Sequence, residues 1–527
     1  MRHSLVDIVI VLISLMVVFT TGFSENMGGT LTISARQTLS HLNPMLGKGI
    51  YGYYATNSIF DSLVTVNPQT LELAPFIAKS WSISKDAKEF TFHLNEGITF
   101  SNGEPLTADD VKFTIDWTMD PDNASPQLSM FKWIDQVEVV DEYTVKICAT
   151  DPFPPGLTSL VVRIVPQDTF EQIGAEAFDS NPVGSGPYML KEWVKGSSVT
   201  LVRNPSYWLK TPNLDEVVIR IIPEVTTAEL ELEQGGIDIT DTMLPQDIEH
   251  FRSLEDIDVR MRTGLNTQFM GFGGQLVPYN NLEFRKAVAQ SFDLDGVVKA
   301  IFPYGGASRA YGMVPPPLWA NDEPWLKANS ALPENDEEAK ATFSLLKQNG
   351  IIPSNFKAVV YSPPDPNRRK LATIIATNLQ QNGLDTEVSQ LEFGAYLELL
   401  FAGKCGMFLI GWVGVSTSLD PYEFLSFMFR GSDSACTSSG YNLTCYENDV
   451  VDLLLEIANT NPDFDIREAI YVAVQRIAVG QDYAILPLYH ESLIRGVNER
   501  VQDYAVSSTE MIPFPLCTPF NNVWVSD

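Results

Sequence analysis

The chain has 527 residues, 45% hydrophobic and 11% aromatic, enough apolar material for roughly two or three domains and too much for a disordered chain. Its 66 acidic and 35 basic residues give a formal charge of −31, which disfavours polyanionic partners: no nucleic acid and no anionic lipid surface is expected. The same charge keeps copies of a soluble protein apart, and a monomer is expected.

Met1-Arg2-His3 leads into an apolar run from Ile8 to Phe19, then into Thr20-Thr21-Gly22-Phe23-Ser24. A short basic start, an apolar stretch and small residues at Gly22 and Ser24 read as an export signal over residues 1–24, with Asp7 its awkward member. An uncleaved membrane anchor is the alternative, against which the shortness of the run speaks. The expected location is therefore periplasmic or extracellular.

Thr30 to Ser34 alternates as a strand does, and residues 41–55, HLNPMLGKGIYGYYA, read as a loop rich in glycine and tyrosine. In Glu89–Leu94, Phe90, Phe92 and Leu94 share one face, and Asn102-Gly103 marks a turn. Thr107 caps a helix whose first turn carries Asp109 and Asp110, with Val111, Ile115 and Met119 as its apolar stripe. Strands are expected at 199–202 and 217–222, and a helix pair over 282–302 broken at Asp293-Leu294-Asp295-Gly296. From Lys357 strand and helix alternate: KAVVYS, RKLATIIATNLQQ, TEVSQL, a helix near Tyr396 to Phe401, a strand at 407–412 and a late helix from Ile466 to Val479. The middle and end of the chain are thus α/β.

Five cysteines in an exported chain leave at least one unpaired. Cys436 and Cys445, close together in a Ser/Gly/Asn-rich loop, are the expected disulfide, while Cys148 and Cys405 read as buried and inert. Motifs for catalysis are missing. The five histidines, His3, His41, His93, His250 and His490, show no metal-binding spacing, and G-x-S-x-G is absent. Ser82-Ile83-Ser84-Lys85 satisfies S-x-x-K without its companion motifs. Gly47-Lys48-Gly49-Ile50-Tyr51-Gly52 satisfies G-x-G-x-x-G without the strand and helix a dinucleotide needs on either side. No cofactor, no metal and no enzymatic activity are expected; a secreted hydrolase would need a nucleophile or metal site that these residues do not supply.

The stretch Phe90 to Phe113, FTFHLNEGITFSNGEPLTADDVKF, resembles the signature region of the family 5 solute-binding proteins, the peptide- and nickel-type receptors of ABC importers. Further blocks follow in the family's order: Gly184-Ser185-Gly186-Pro187-Tyr188, Arg203-Asn204-Pro205-Ser206-Tyr207-Trp208, Phe284-Arg285-Lys286-Ala287-Val288 and Leu486-Pro487-Leu488-Tyr489-His490. The resemblance implies an α/β, two-lobed periplasmic-binding-protein fold with a hinge and an inserted subdomain. Lobe I would comprise 25–60, 181–268 and 491–527, the insertion 61–180, and lobe II 269–490. A membrane permease and a peptide ligand are the implied partners, with an oligosaccharide as the alternative ligand.

The implied cleft residues are Lys48, Gly49, Ile50, Tyr51, Gln127, Phe269, Phe393, Trp412, Gly414, Val415, Tyr489 and His490. For Phe269 and Phe393 a place in the core is an equal reading, because aromatic rings dominate packing. In peptide-binding members an acidic residue three positions after the Gly-Trp tryptophan holds the peptide's amino group. Here that position is Val415, which cannot supply a charge-assisted hydrogen bond. Asp420 is the nearby candidate to replace it.

Overall fold

In the computed structural model, strand alternation and short turns divide the chain into three main sheets; residues 28–47, 50–413, 419–433, 436, 440–509, 517–518 and 521–526 are described. The expected export signal lies outside them. No helix among the described residues is long and apolar enough to cross a membrane.

The first sheet has four strands in the order Thr30–Ala35, Glu216–Ile221, Ser198–Arg203, Tyr188–Val194. Its first two are parallel and the rest antiparallel. Leu31, Ile33, Leu201, Val217 and Ile219 pack beneath it with Val497, Val501 and Val523, so the C-terminal segment returns to complete this core.

Glu89–Leu94 is the second strand of an antiparallel sheet ordered Ala78–Ile83, Glu89–Leu94, Thr144–Ala149, Ile134–Asp141. Phe90, Phe92 and Leu94 are fully buried, as the alternation requires, against Val111 and Ile115 of helix Ala108–Met119. The Thr107 backbone N–H donates to the Asp110 carboxylate at 2.8 Å, closing the expected capping box. Ser82-Ile83-Ser84-Lys85 leads into the turn to the next strand: the Ser84 hydroxyl accepts from the Glu89 N–H at 2.9 Å. Cys148 lies in strand Thr144–Ala149, half-buried rather than buried.

The third sheet has six strands, ordered Ala307–Arg309, Ile485–Asn498, Ile257–Phe272, Met407–Val413, Ala358–Ser362, Thr386–Gln390. The last three are parallel to one another. Helix Pro366–Gln381 covers one face through Leu371, Ala372, Ile375 and Leu379, and Tyr422–Phe429, Asp449–Thr460 and Phe464–Gln475 cover the other. Two expectations shift by a few residues. Asp293 stands at the N-cap of Leu294–Ile301, so the break falls after Ala289 and Gly296 enters the helix. The late helix ends at Gln475 and passes into a wider π-turn, Arg476–Gln481.

Strands Ile257–Phe272 and Ile485–Asn498, of 16 and 14 residues, connect the lobes. The former extends about 50 Å at strand rise. At one end Ile257 and Ile494 pack with Ile237, Met243, Ile248 and Phe251; at the other, Met270, Leu486 and Leu488 enter the second-lobe core. Their pairing slips between Thr263 and Thr267.

The glycine and aromatic blocks near 184–208 pack against Ile59 and Asp61. A Cβ on Gly184 or Gly186 would overlap the Ile59 carbonyl. Trp208 Nε1 donates to Asp61 at 2.6 Å and the Tyr207 hydroxyl at 3.3 Å. Burial pushes the Asp61 carboxyl up to about 7 despite these donors.

Candidate functional site

Met407 to Ile410 form the buried part of a strand whose next residues are Gly411 and Trp412. The strand pairs antiparallel with Ile257–Phe272, setting Gly411 opposite Gln268 and Trp412 opposite Thr267. Gly411 has a steric reason to lack a side chain: a Cβ there would overlap the Gln268 amide. The Trp412 ring projects to the other face, where it meets Phe427 and Tyr441 edge-on at centroid distances of 6.1 and 5.6 Å.

Beside Trp412 opens a cavity of about 500 Å³, walled on the second-lobe side by Tyr422, Phe427 and Tyr441 and on the insertion side by Met130, Trp133 and Phe153. Phe153 meets Tyr422 edge-on at 5.3 Å, so the two units touch at its rim. The buried Trp412 Nε1–H has no acceptor among the described residues. Such an unsatisfied donor costs about 1–3 kcal/mol and is relieved by an oxygen placed in the cavity. The lining is apolar and aromatic with few polar groups, the usual composition of a small-ligand pocket.

Gln127 lies just before this wall, at the turn Leu128–Phe131. Its amide donates to the Pro44 carbonyl at 2.5 Å, and the Ser125 hydroxyl donates to the Met45 carbonyl at 2.7 Å. These bonds tie the loop at Pro44 and Met45 to the turn around Gln127. Lys48, Gly49, Gly414 and Val415 lie outside the described residues, as do the side chains of Ile50 and Tyr51; the backbone from Ile50 opens helix Ile50–Ile59, which corrects the loop expected over 41–55.

Three expected cleft residues belong to the interior. Phe269 is fully buried in the second-lobe core with Phe408 and Leu265, because it shares its face of the sheet with the helices packed there. Tyr489 is buried on the opposite face, its ring 5.1 Å from that of Phe302. His490 is also fully buried, its ring between the Thr267 hydroxyl at 3.0 Å and the Glu323 carboxylate at 3.2 Å. Phe393 starts helix Phe393–Phe401 half exposed, and does not line the cavity. Asp420 is unsuited to replace the missing anchor: its carboxylate is buried, with Oδ2 2.6 Å from Arg467 Nη2 and Oδ1 accepting the Tyr422 N–H at 3.0 Å.

A second polar group went unnoticed in the sequence. Arg368 Nε donates to Gln268 Oε1 at 3.1 Å, Gln268 Nε2 donates to Glu491 Oε1 at 3.1 Å, and Asn266 Nδ2 donates to Glu491 Oε2. Burial raises the Glu491 carboxyl above its ordinary range, and Arg368 opposes that rise. In sequence Arg368-Arg369-Lys370 looks like a solvated helix start and Gln268 like one polar residue in a strand. Only the sheet register brings them together.

Cys436 and Cys445 form the expected disulfide, with Cα atoms 5.8 Å apart. Cys405 is buried, which pushes its thiol up to about 12.

The family model described as bacterial extracellular solute-binding proteins, family 5 (middle), matches residues 72–435. The chain belongs to this family. A dipeptide-binding protein of Escherichia coli (strain K12) is 26% identical over 537 residues, covering 96% of this chain and 97% of its own. The solved structure of the periplasmic binding protein DppA from Helicobacter pylori, in complex with the peptide STSA, matches with a TM-score of 0.72 and 26% identity over 95% of this chain and 99% of that one. HbpA2 from Haemophilus parasuis gives a TM-score of 0.84 at 24% identity, over 95% and 100% of the two chains, a likeness of fold. The sheets and the paired crossing strands are accordingly those of the family's two-lobed fold.

Proposed function

We propose that this chain is the substrate-binding component of an ABC importer, which captures a peptide-like solute between its lobes and passes it unchanged to a membrane permease. The observation that carries the reading is the pair of crossing strands whose register slips between Thr263 and Thr267, beside both the Trp412 strand and the Arg368 cluster. Two ribbons with a local break between well-packed cores make a hinge, and closure about it gives a loaded receptor a shape distinct from an empty one. The likeness to a dipeptide-binding protein along nearly the whole chain supports a peptide as the solute.

The working units are lobe I at 25–60, 181–268 and 491–527, the insertion at 61–180 and lobe II at 269–490. Residues 1–24 direct export, and the mature chain acts as a monomer in the periplasm or outside the cell. Trp412, Gln127 and the loop containing Lys48, Gly49, Ile50 and Tyr51 contact the solute, together with Gly414 and Val415. The aromatic walls around Trp412 support a second reading, an oligosaccharide whose rings stack there.

Thermal unfolding of the chain from Glu25 onward, with pools of short peptides and of oligosaccharides, separates the two. A ligand at about 100 times its dissociation constant adds about 2.7 kcal/mol. Stabilisation by peptides is the expected result; stabilisation by sugars alone overturns the peptide reading. Turnover of any added compound overturns the receptor reading.

A further inference from the structure

We propose that the chain carries a second binding cavity, separate from the one beside Trp412, for a small uncharged molecule that is mostly apolar and bears one acceptor oxygen. It stands whatever the Trp412 cavity holds.

The first argument is the cavity itself. Its volume is about 520 Å³, as large as the Trp412 cavity. Leu71, Leu73, Trp81 and Leu157 form one wall, and Leu318, Trp319 and Phe464 face them. Two short segments partition the cavities. Pro155, Gly156 and Ser159 line the Trp412 cavity, while Pro154, Leu157 and Thr158 line this one. On the facing side Tyr422 and Glu423 belong to the first, Leu419 and Asp420 to the second. Apolar hollows of this kind exclude water and take up apolar molecules.

The second argument is the polar inventory of the walls. Trp319 Nε1 donates to the Leu419 carbonyl at 3.1 Å, and the Thr158 hydroxyl donates to the Pro155 carbonyl at 2.9 Å. The Asp420 carboxylate is taken by Arg467 and the Tyr422 N–H. A strongly polar ligand would give up its water and gain little in return. One donor is left over. Arg467 Nε is bound to the Ala458 carbonyl and Nη2 to Asp420 and the Tyr471 hydroxyl, whereas Nη1 has no hydrogen-bond partner among the described residues. Asp420 already balances the charge of this guanidinium, and the exposed Glu72 adds a negative charge at the rim of a chain of charge −31. Nη1 therefore suits a neutral oxygen, a ketone, ester or amide, better than an anion.

The third argument is preorganisation. The Trp319 ring is fixed by its Nε1 bond, by Arg467 5.2 Å from its centroid and by the Tyr471 ring at 5.6 Å. Phe464 lies 4.5 Å from Trp319, centroid to centroid, yet is 51% exposed, so it stands at the mouth. A fixed ring inside and a second ring at the entrance suit a flat ligand, with little ordering cost on binding.

The test is fluorescence titration of the chain from Glu25 onward with prodan, an uncharged naphthalene ketone whose emission moves to the blue in apolar surroundings. A saturable blue shift is expected, and the anionic anilinonaphthalene sulfonate should bind at least about tenfold more weakly. Phe464→Ala, at an exposed position, should weaken prodan about tenfold with an unchanged melting temperature. Leu157→Gln on the facing wall should weaken it by a similar factor, and Tyr441→Ala in the Trp412 cavity should leave it as it is. Absence of a saturable shift overturns the proposal. So does binding lost in Tyr441→Ala but kept in Phe464→Ala and Leu157→Gln, which puts the dye beside Trp412. Equal binding of the sulfonate overturns the uncharged class, and equal binding of dimethylaminonaphthalene, which lacks the ketone, overturns the role of Arg467 Nη1. Displacement of prodan by a peptide that stabilises the chain overturns the separateness of the two cavities.

Discussion

Replacing Asp420 by Asn separates a structural carboxylate from a ligand anchor. The Asp420 and Arg467 side chains are only 3% and 7% exposed, and their closest atoms are 2.6 Å apart. The Arg467 guanidinium is flanked by Trp319 and Tyr471, 5.2 and 5.5 Å from the ring centroids, and Arg467 Nε donates to the Ala458 carbonyl at 3.0 Å. The carboxamide oxygen of the Asp420→Asn variant would still accept the Tyr422 N–H, so the substitution removes the charge and little else. An uncompensated buried cation costs about 3–5 kcal/mol. If a second lobe of roughly 220 residues melts as a unit, its unfolding entropy is about 0.46 kcal/mol/K, and the midpoint should fall by about 6–11 °C. Adding Arg467→Met to Asp420→Asn removes the stranded charge and should restore much of that loss. Scanning calorimetry measures the melts, and peptide titration well below the transition measures affinity on the same proteins. An Asp420→Asn protein with an unchanged midpoint and a collapsed peptide affinity would refute the reasoning, because Asp420 would then face the ligand.

Four other outcomes are expected. Asp61, with a folded-state carboxyl at about 7 against 3.8 unfolded, keeps a proton that the unfolded chain has already released. Stability from this group therefore falls as pH rises from about 4 to about 7, by at most about 4 kcal/mol, and melts of Asp61→Asn across that range should show a flatter dependence. Asp110 and Glu229, pushed up to about 6 and about 7 by burial, act in the same direction, so the wild type should melt higher at pH 5 than at pH 8. Trp412→Phe removes a buried donor that lacks an acceptor; the empty protein should be unchanged or more stable by about 1 kcal/mol while solute affinity drops, and a large loss of stability without ligand would contradict this account. Cys445→Ser opens a bridge between residues nine apart and should cost about 2–3 kcal/mol in urea titrations, with no further effect of reductant.

The local elements were legible because they answer to local rules. Alternation in Glu89–Leu94 placed Phe90, Phe92 and Leu94 inside, and Thr107 with Asp110 marked the helix start. The pairing of Cys436 with Cys445 was also readable, two cysteines in one short loop having little else to bond. Trp412 was readable as the end of a buried strand flanked by glycine.

What the amino-acid order determined alone was the type of most elements and the family whose motifs it carries, while the stretch read as a loop over 41–55 turns into helix from Ile50. What only tertiary structure decided was which face each side chain takes and what lies across the sheet. Phe269 and Gln268 are neighbours in one strand, yet the period of two sends the aromatic ring into the core and the amide toward Arg368, 100 positions away in sequence. Asp420 resembled a free carboxylate until the fold placed Arg467 against it. Charges and amides acquire roles from partners brought together by register and packing, and no local pattern encodes those distances.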